Sequence, residues 1–120
     1  MTITITGKFI EDWTPASEDL YAGAEQGIED AGFIELINKI DNAPRKKRGK
    51  FGFNILIELT EHETELLRGE AKYRMEYQSL MYQDSKSDID KPAHNAAKKL
   101  YLELGGVITE KMASGMGIKI

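Results

Sequence analysis

The chain has 120 residues, enough for one domain that buries roughly two-thirds of its unfolded surface. With 41% hydrophobic and 30% charged residues it has the composition of a globular protein, and the absence of cysteine excludes a disulfide scaffold, thiolate zinc sites, iron–sulfur clusters and a cysteine nucleophile. No apolar run approaches the roughly 18 residues of a membrane helix, so a cytoplasmic protein, neither exported nor inserted in a membrane, is expected.

At the N-terminus, Ile3, Ile5 and Phe9 share one parity and Thr2, Thr4, Thr6 and Lys8 the other, which predicts a half-buried strand over residues 2–10 with Gly7 at a bulge. Ser17 is placed to cap a helix carrying Leu20, Ala24, Ile28 and Ala31 at helical spacing, weakened by Gly23 and Gly27 and stopped by Gly32. Phe33, Leu36, Ile37 and Ile40 predict a second short helix, although the same residues would also serve as a strand. Residues 42–50 read as a polar loop, after which Phe51, Phe53, Ile55, Ile57 and Leu59 alternate with smaller or polar partners and predict a strand over 51–59.

Thr60 and Glu63 have the spacing of a capping box and open a long helix reaching about Gln83, with a predicted buried stripe of Leu66, Tyr73, Tyr77, Leu80 and Met81 flanked by Leu67 and Ala71. A polar link over 85–91 leads to a helix built on Ala93, Ala96, Ala97, Leu100 and Leu104 and ended by Gly105 and Gly106. Residues 107–113 fit either element, while Met116, Ile118 and Ile120 alternate as a terminal strand over 116–120. No internal repeat is present. The expected architecture is a single α+β domain over residues 1–120: a small antiparallel or mixed sheet of about three strands, covered by three to five helices.

Charge is the informative feature. Residues 1–41 carry nine acids against Lys8 and Lys39, residues 42–57 carry five bases and no acid, and residues 58–120 hold eleven acids and nine bases, within a net charge of −4. The basic run Arg45, Lys46, Lys47, Arg48 and Lys50 sits in the predicted loop beside Phe51 and Phe53. Cations on such a segment can neutralise phosphates and release counterions, and neighbouring aromatics can stack bases. The plainer alternative is a solvated loop that guards a strand edge, with both Phe residues in the core.

The predicted first helix is the mirror case, with Glu18, Asp19, Glu25, Glu29 and Asp30 and no basic residue. Such a face can meet a basic protein, including a nucleic-acid-processing enzyme whose groove it would occupy. Its plainer reading is a solvated surface whose leading acids favour the helix N-terminus.

Candidates for chemistry are few. Projection at about 100° per residue places Glu70 amid the predicted apolar stripe with Arg74 one turn on, either a polar centre serving proton transfer or anion recognition, or an intrahelical ion pair at the edge of the core. His62 and Glu65 could face one ion, but two ligands do not make a zinc site, and His94 could pair with Asp90. The glycines fit neither a phosphate loop nor a dinucleotide pattern, and no nucleophile-elbow spacing is present. No metal or cofactor is expected.

The opening Ile3-Thr-Ile-Thr-Gly-Lys8, followed by acidic residues and a helix, is similar to the start of ribosome-hibernation factors, over that segment alone and without a functional motif. In size and acidity the chain resembles inhibitors that phages and mobile elements direct against host defence, such as anti-CRISPR and anti-restriction proteins. The resulting expectation is a non-catalytic binding or regulatory protein that occupies a macromolecular surface, with a protein partner met by the acidic helix. Nucleic acid bound through residues 44–50 is the first alternative and a small enzyme using Glu70 and Arg74 the second. Association with further copies of the chain stays open.

Overall fold

The computed structural model describes residues 1–49, 52–85 and 91–117, and the side chains of all of these but 82–85. Strand β1 (Thr2–Thr6) is followed by helices α1 (Gly7–Glu25) and α2 (Gly32–Asn42), strands β2 (Lys46–Arg48) and β3 (Gly52–Glu58), and helices α3 (Glu61–Ser85), α4 (Lys91–Glu103) and α5 (Glu110–Met116). The α+β class is as expected. Contacts divide the chain into two compact units, Met1–Leu66 and Leu67–Ile120.

In the first unit the sheet has the order β1-β3-β2 and is antiparallel throughout. Alternation builds it: Ile3 pairs with Ile57 and Ile5 with Ile55, all four buried on one face, against which α1 and α2 pack. Thr2, Thr4, Leu56 and Glu58 project from the other face and are exposed. Beyond β3 the Met1 nitrogen donates to the Leu59 carbonyl at 2.9 Å, and the Leu59 N–H to the Met1 carbonyl at 2.7 Å.

The first strand is shorter than its parity suggests. Ile10 is buried directly after Phe9, which a strand cannot do on one face, and Phe9, Ile10, Trp13 and Ser17 fall on one side of a helix that begins at Gly7. Gly7 therefore marks the change from strand to helix. Ser17 lies inside α1 and does not cap it; its Oγ donates to the Thr14 carbonyl at 2.8 Å, and Thr14 Oγ1 to that of Ile10 at 2.6 Å, on either side of Pro15. The helix ends six residues before the predicted end at Ala31, with Gly27 at φ 76° supplying the left-handed turn. Ile28 and Ala31 are consequently exposed. The second helix is present as predicted, burying Phe33, Leu36, Ile37 and Ile40.

Thr60 and Glu63 form the predicted capping box: Thr60 N–H donates to Glu63 Oε1 at 2.9 Å, and Glu63 N–H to Thr60 Oγ1 at 3.1 Å. In the second unit α3 buries Leu67, Ala71, Met75, Gln78 and Ser79, not the predicted stripe; Tyr73, Tyr77, Leu80 and Met81 are exposed. Helix α4 buries Ala93, Ala97 and Leu100 as predicted, with His94 and Tyr101, and turns at Gly105, φ 89°. Arg68 Nε donates to the Leu104 carbonyl there at 2.9 Å. Met116, expected in a terminal strand, closes α5, whose cap is Thr109 Oγ1 accepting from Met112 N–H at 3.2 Å. Ile118 and Ile120 lie outside the described residues.

Candidate nucleic-acid interface

The basic segment is a strand and not only a loop. Lys46 pairs with Asn54, Lys47 with Phe53 and Arg48 with Gly52. Residues paired across an antiparallel sheet point to the same side, so Lys46 and Arg48 share the exposed face with Asn54, Thr4 and Leu56, while Lys47 shares that of Phe53. All three cations are exposed. Nothing in Lys-Lys-Arg favours a strand by composition; the pairing to β3 holds it.

Phe53 is half-buried on the side of α1 and is therefore absent from the face that carries Lys46 and Arg48. Its ring passes so close to Gly7 that a Cβ there would stand 2.6 Å from Cε1. The Arg45 guanidinium lies 5.1 Å from the ring centroid, within cation–π range, and fixes the entry to β2. Of the two uses the sequence left open for Phe53, base stacking does not fit this placement and a ring turned toward the core does. Lys50 and Phe51 fall outside the described residues.

On the exposed face Thr4, Lys46, Arg48, Asn54 and Leu56 border a recess of about 250 Å³. Asn54 Oδ1 is buried beside it and has no hydrogen-bond partner. A second hollow, of about 570 Å³, follows the edge of β3 past the point where β2 stops, bordered by Lys39, Pro44, Leu56 and Glu58. Pro44 would stand opposite Leu56 and has no N–H to continue the ladder.

The acids occupy other positions. Glu18, Asp19 and Glu25 are exposed on α1, which packs against the opposite face of the sheet. Glu29 and Asp30 were expected on the same helix, but α1 ends before them and both lie in the turn to α2. Asp30 is engaged there: its Oδ1 accepts from Gly32 N–H at 2.8 Å, and Oδ2 stands 2.9 Å from His62 Nε2. The hydrogen bond to His62, then the Gly32 amide, hold the Asp30 carboxyl below its usual range, and the same bond and charge raise His62. His62 is thus paired with Asp30. Ionisable residues at the paired positions of the exposed sheet face are Lys46 and Arg48 at one end and Glu58 at the other.

Lys39 closes the edge of β3 near Glu58, donating to the Glu58 carbonyl at 3.2 Å and to Glu63 Oε1 at 2.6 Å. Burial pushes the Glu63 carboxyl up, but the bonds from Lys39 and Thr60 outweigh it and hold the group below its usual range; Lys39 is raised by the same contact.

Glu70 and Arg74 are both half-buried on α3. Because the helix buries a different face, Glu70 is not the charge amid an apolar stripe that the projection suggested. Arg74 lies 4.7 Å over the Tyr77 ring, and Tyr77 stacks with Tyr73 at 6.3 Å between centroids. His94 Nδ1 donates to the Met75 carbonyl at 2.9 Å; Asp90, its suggested partner, is outside the described residues. Among the described residues no three His, Cys, Asp or Glu side chains are grouped as a metal site requires, and no helix is long and apolar enough to cross a membrane.

Comparison with known proteins returns no match among family models, curated proteins or solved structures.

Proposed function

We propose that the protein is a non-catalytic binding protein whose working surface is the exposed sheet face and basic edge strand, and whose ligand is nucleic acid. One observation carries this reading: pairing with β3 places Lys46 and Arg48 together on the exposed face, with the α1 acids beyond the opposite face. Overall acidity argues against phosphate approach only if the charges mix, and here the sheet lies between the α1 acids and Lys46 and Arg48, with Glu58 at the far end of their face. Cations held along a strand keep a fixed spacing and lose less freedom on meeting phosphates than cations on a mobile loop.

A second reading is supported by Glu18, Asp19 and Glu25, which remain exposed on α1 and could meet a basic protein; an inhibitory role of the kind that size and acidity suggest would run through them. Fluorescence anisotropy with a labelled mixed-sequence oligonucleotide separates the two. The proposal expects binding at low salt that rising salt reverses, and its loss when Arg45, Lys46, Lys47, Arg48 and Lys50 are replaced by Gln in a chain with an unchanged circular dichroism spectrum. Equal binding by that variant, or no binding by the wild type, would refute it.

A further inference from the structure

We infer that the nucleic acid is single-stranded, with an unpaired base seated over Leu56 and donating an N–H to Asn54; the inference rests on the nucleic-acid reading above. Phosphate contacts require only the cations. Two features of the same face are left over by that account. Leu56 sits on the central strand, directly opposite Thr4, and is 51% exposed where a polar residue would be the ordinary occupant. Asn54 Oδ1 has less than 1 Å² of accessible surface and no partner, although a buried acceptor without a hydrogen bond is costly.

Leu56 and Asn54 both border the recess that Lys46 and Arg48 flank, with Asn54 Oδ1 covered until the side chains around it shift. A phosphate cannot satisfy Asn54 Oδ1, since both are acceptors. An N–H can, and every base carries one on its Watson–Crick edge. In a duplex the ring N–H of G or T and one amino hydrogen of A, C or G are spent on the opposite strand, the remaining amino hydrogens lie within the grooves, and the rigid helix cannot lower a base into a recess beneath two long side chains. A single strand can turn one base out, lay it against Leu56 and leave its flanking phosphates to Lys46 and Arg48. Exposed Lys46 and Arg48 have the freedom to move aside as the base enters.

The test compares the full-length protein on a labelled 20-nucleotide single strand and on the duplex of the same sequence, at one low salt concentration. The single strand should bind at least tenfold more tightly. Leu56→Thr and Asn54→Leu should each weaken it about fivefold or more and leave the duplex within about twofold. Asn54→Leu removes an unsatisfied acceptor, so its melting temperature should equal or exceed that of the wild type, which a merely structural Asn54 would not allow. Equal affinity for strand and duplex, with both variants binding as the wild type does, would overturn the inference while leaving the nucleic-acid reading intact. Absence of salt-dependent binding to either oligonucleotide would remove that reading itself.

Discussion

Gly7→Ala puts the junction between strand, helix and basic segment under direct test. A Cβ at Gly7 would lie 2.6, 2.8 and 2.9 Å from Cε1, Cδ1 and Cζ of Phe53. Ordinary carbon contacts are about 3.5–4.0 Å, so the ring must retreat by roughly 1 Å. The ring is half-buried and carries the Arg45 guanidinium, so its retreat disturbs that contact and its packing on the α1 side of the sheet. Overpacking of this kind costs about 1–3 kcal/mol, while Ala in place of Gly in a helix returns about 0.5–1 kcal/mol, less at its first residue. The expected net loss is about 1–2 kcal/mol, read from urea denaturation. In a Phe53→Ala background the collision is gone, and Gly7→Ala should then be neutral or stabilising, a coupling of about 1–3 kcal/mol in the double-mutant cycle. Full stability of the single variant, or the same loss in both backgrounds, would refute the close approach and with it the placement of Phe53 away from the exposed face.

Other expectations follow from burial and charge. Ile55→Ala, at a position 1% exposed, should cost about 2–5 kcal/mol, and Leu56→Ala next to it, 51% exposed, less than about 1 kcal/mol; equal effects would mean that the faces of β3 are misassigned. On α3, Met75→Ala should cost about 2–5 kcal/mol and Leu80→Ala less than about 1, the reverse of what the predicted stripe would give. The His62–Asp30 pair gives a pH dependence. His62 is raised from 6.5, so its contribution is complete below that value and is lost as pH rises through the folded pKa. Asp30 is lowered from 3.8, so its contribution is complete above that value and is lost as pH falls through the folded pKa. Stability from the pair is therefore greatest between these values. His62→Asn should flatten the decline of melting temperature above about pH 6.5, and an unchanged profile would show that the pair contributes nothing.

What the sequence revealed depended on whether a local signal had a rival. Ile55, Ile57 and Leu59 alternate without competition and Thr60 and Glu63 have the spacing of a reciprocal cap, so β3 and the start of α3 could be read directly, whereas Phe33, Leu36, Ile37 and Ile40 repeat at helical intervals but were also compatible with a strand. The start of α1 was hidden because Phe9 keeps the parity of Ile3 and Ile5 across the junction at Gly7; Ile10 and Trp13 carried the contrary signal, and Pro15 within the helix disguised its continuity. In α3 two faces carry apolar residues, and periodicity cannot choose between a stripe of Tyr73, Tyr77 and Leu80 and one of Leu67, Ala71 and Met75. Packing chose the smaller side chains, and the aromatic ones cover the outside. The charge asymmetry was legible as composition, but its geometry was not: β2 exists through pairing with β3, and the grouping of the acids broke down where α1 ended early.

The central claim is that Lys46 and Arg48 meet phosphates from the exposed sheet face. Titration of the wild type, of Lys46→Gln/Arg48→Gln and of Glu18→Gln/Asp19→Asn/Glu25→Gln against one single-stranded oligonucleotide, at a series of salt concentrations, addresses it directly. Each phosphate contact to a single strand contributes about 0.7 to the slope of log K against log salt, so losing two should flatten it by about 1.4. The α1 variant should keep the wild-type slope and bind as well or slightly better, since it removes only repulsion from beyond the opposite face. An unchanged slope in the basic-strand variant, or loss of binding in the α1 variant, would contradict the account.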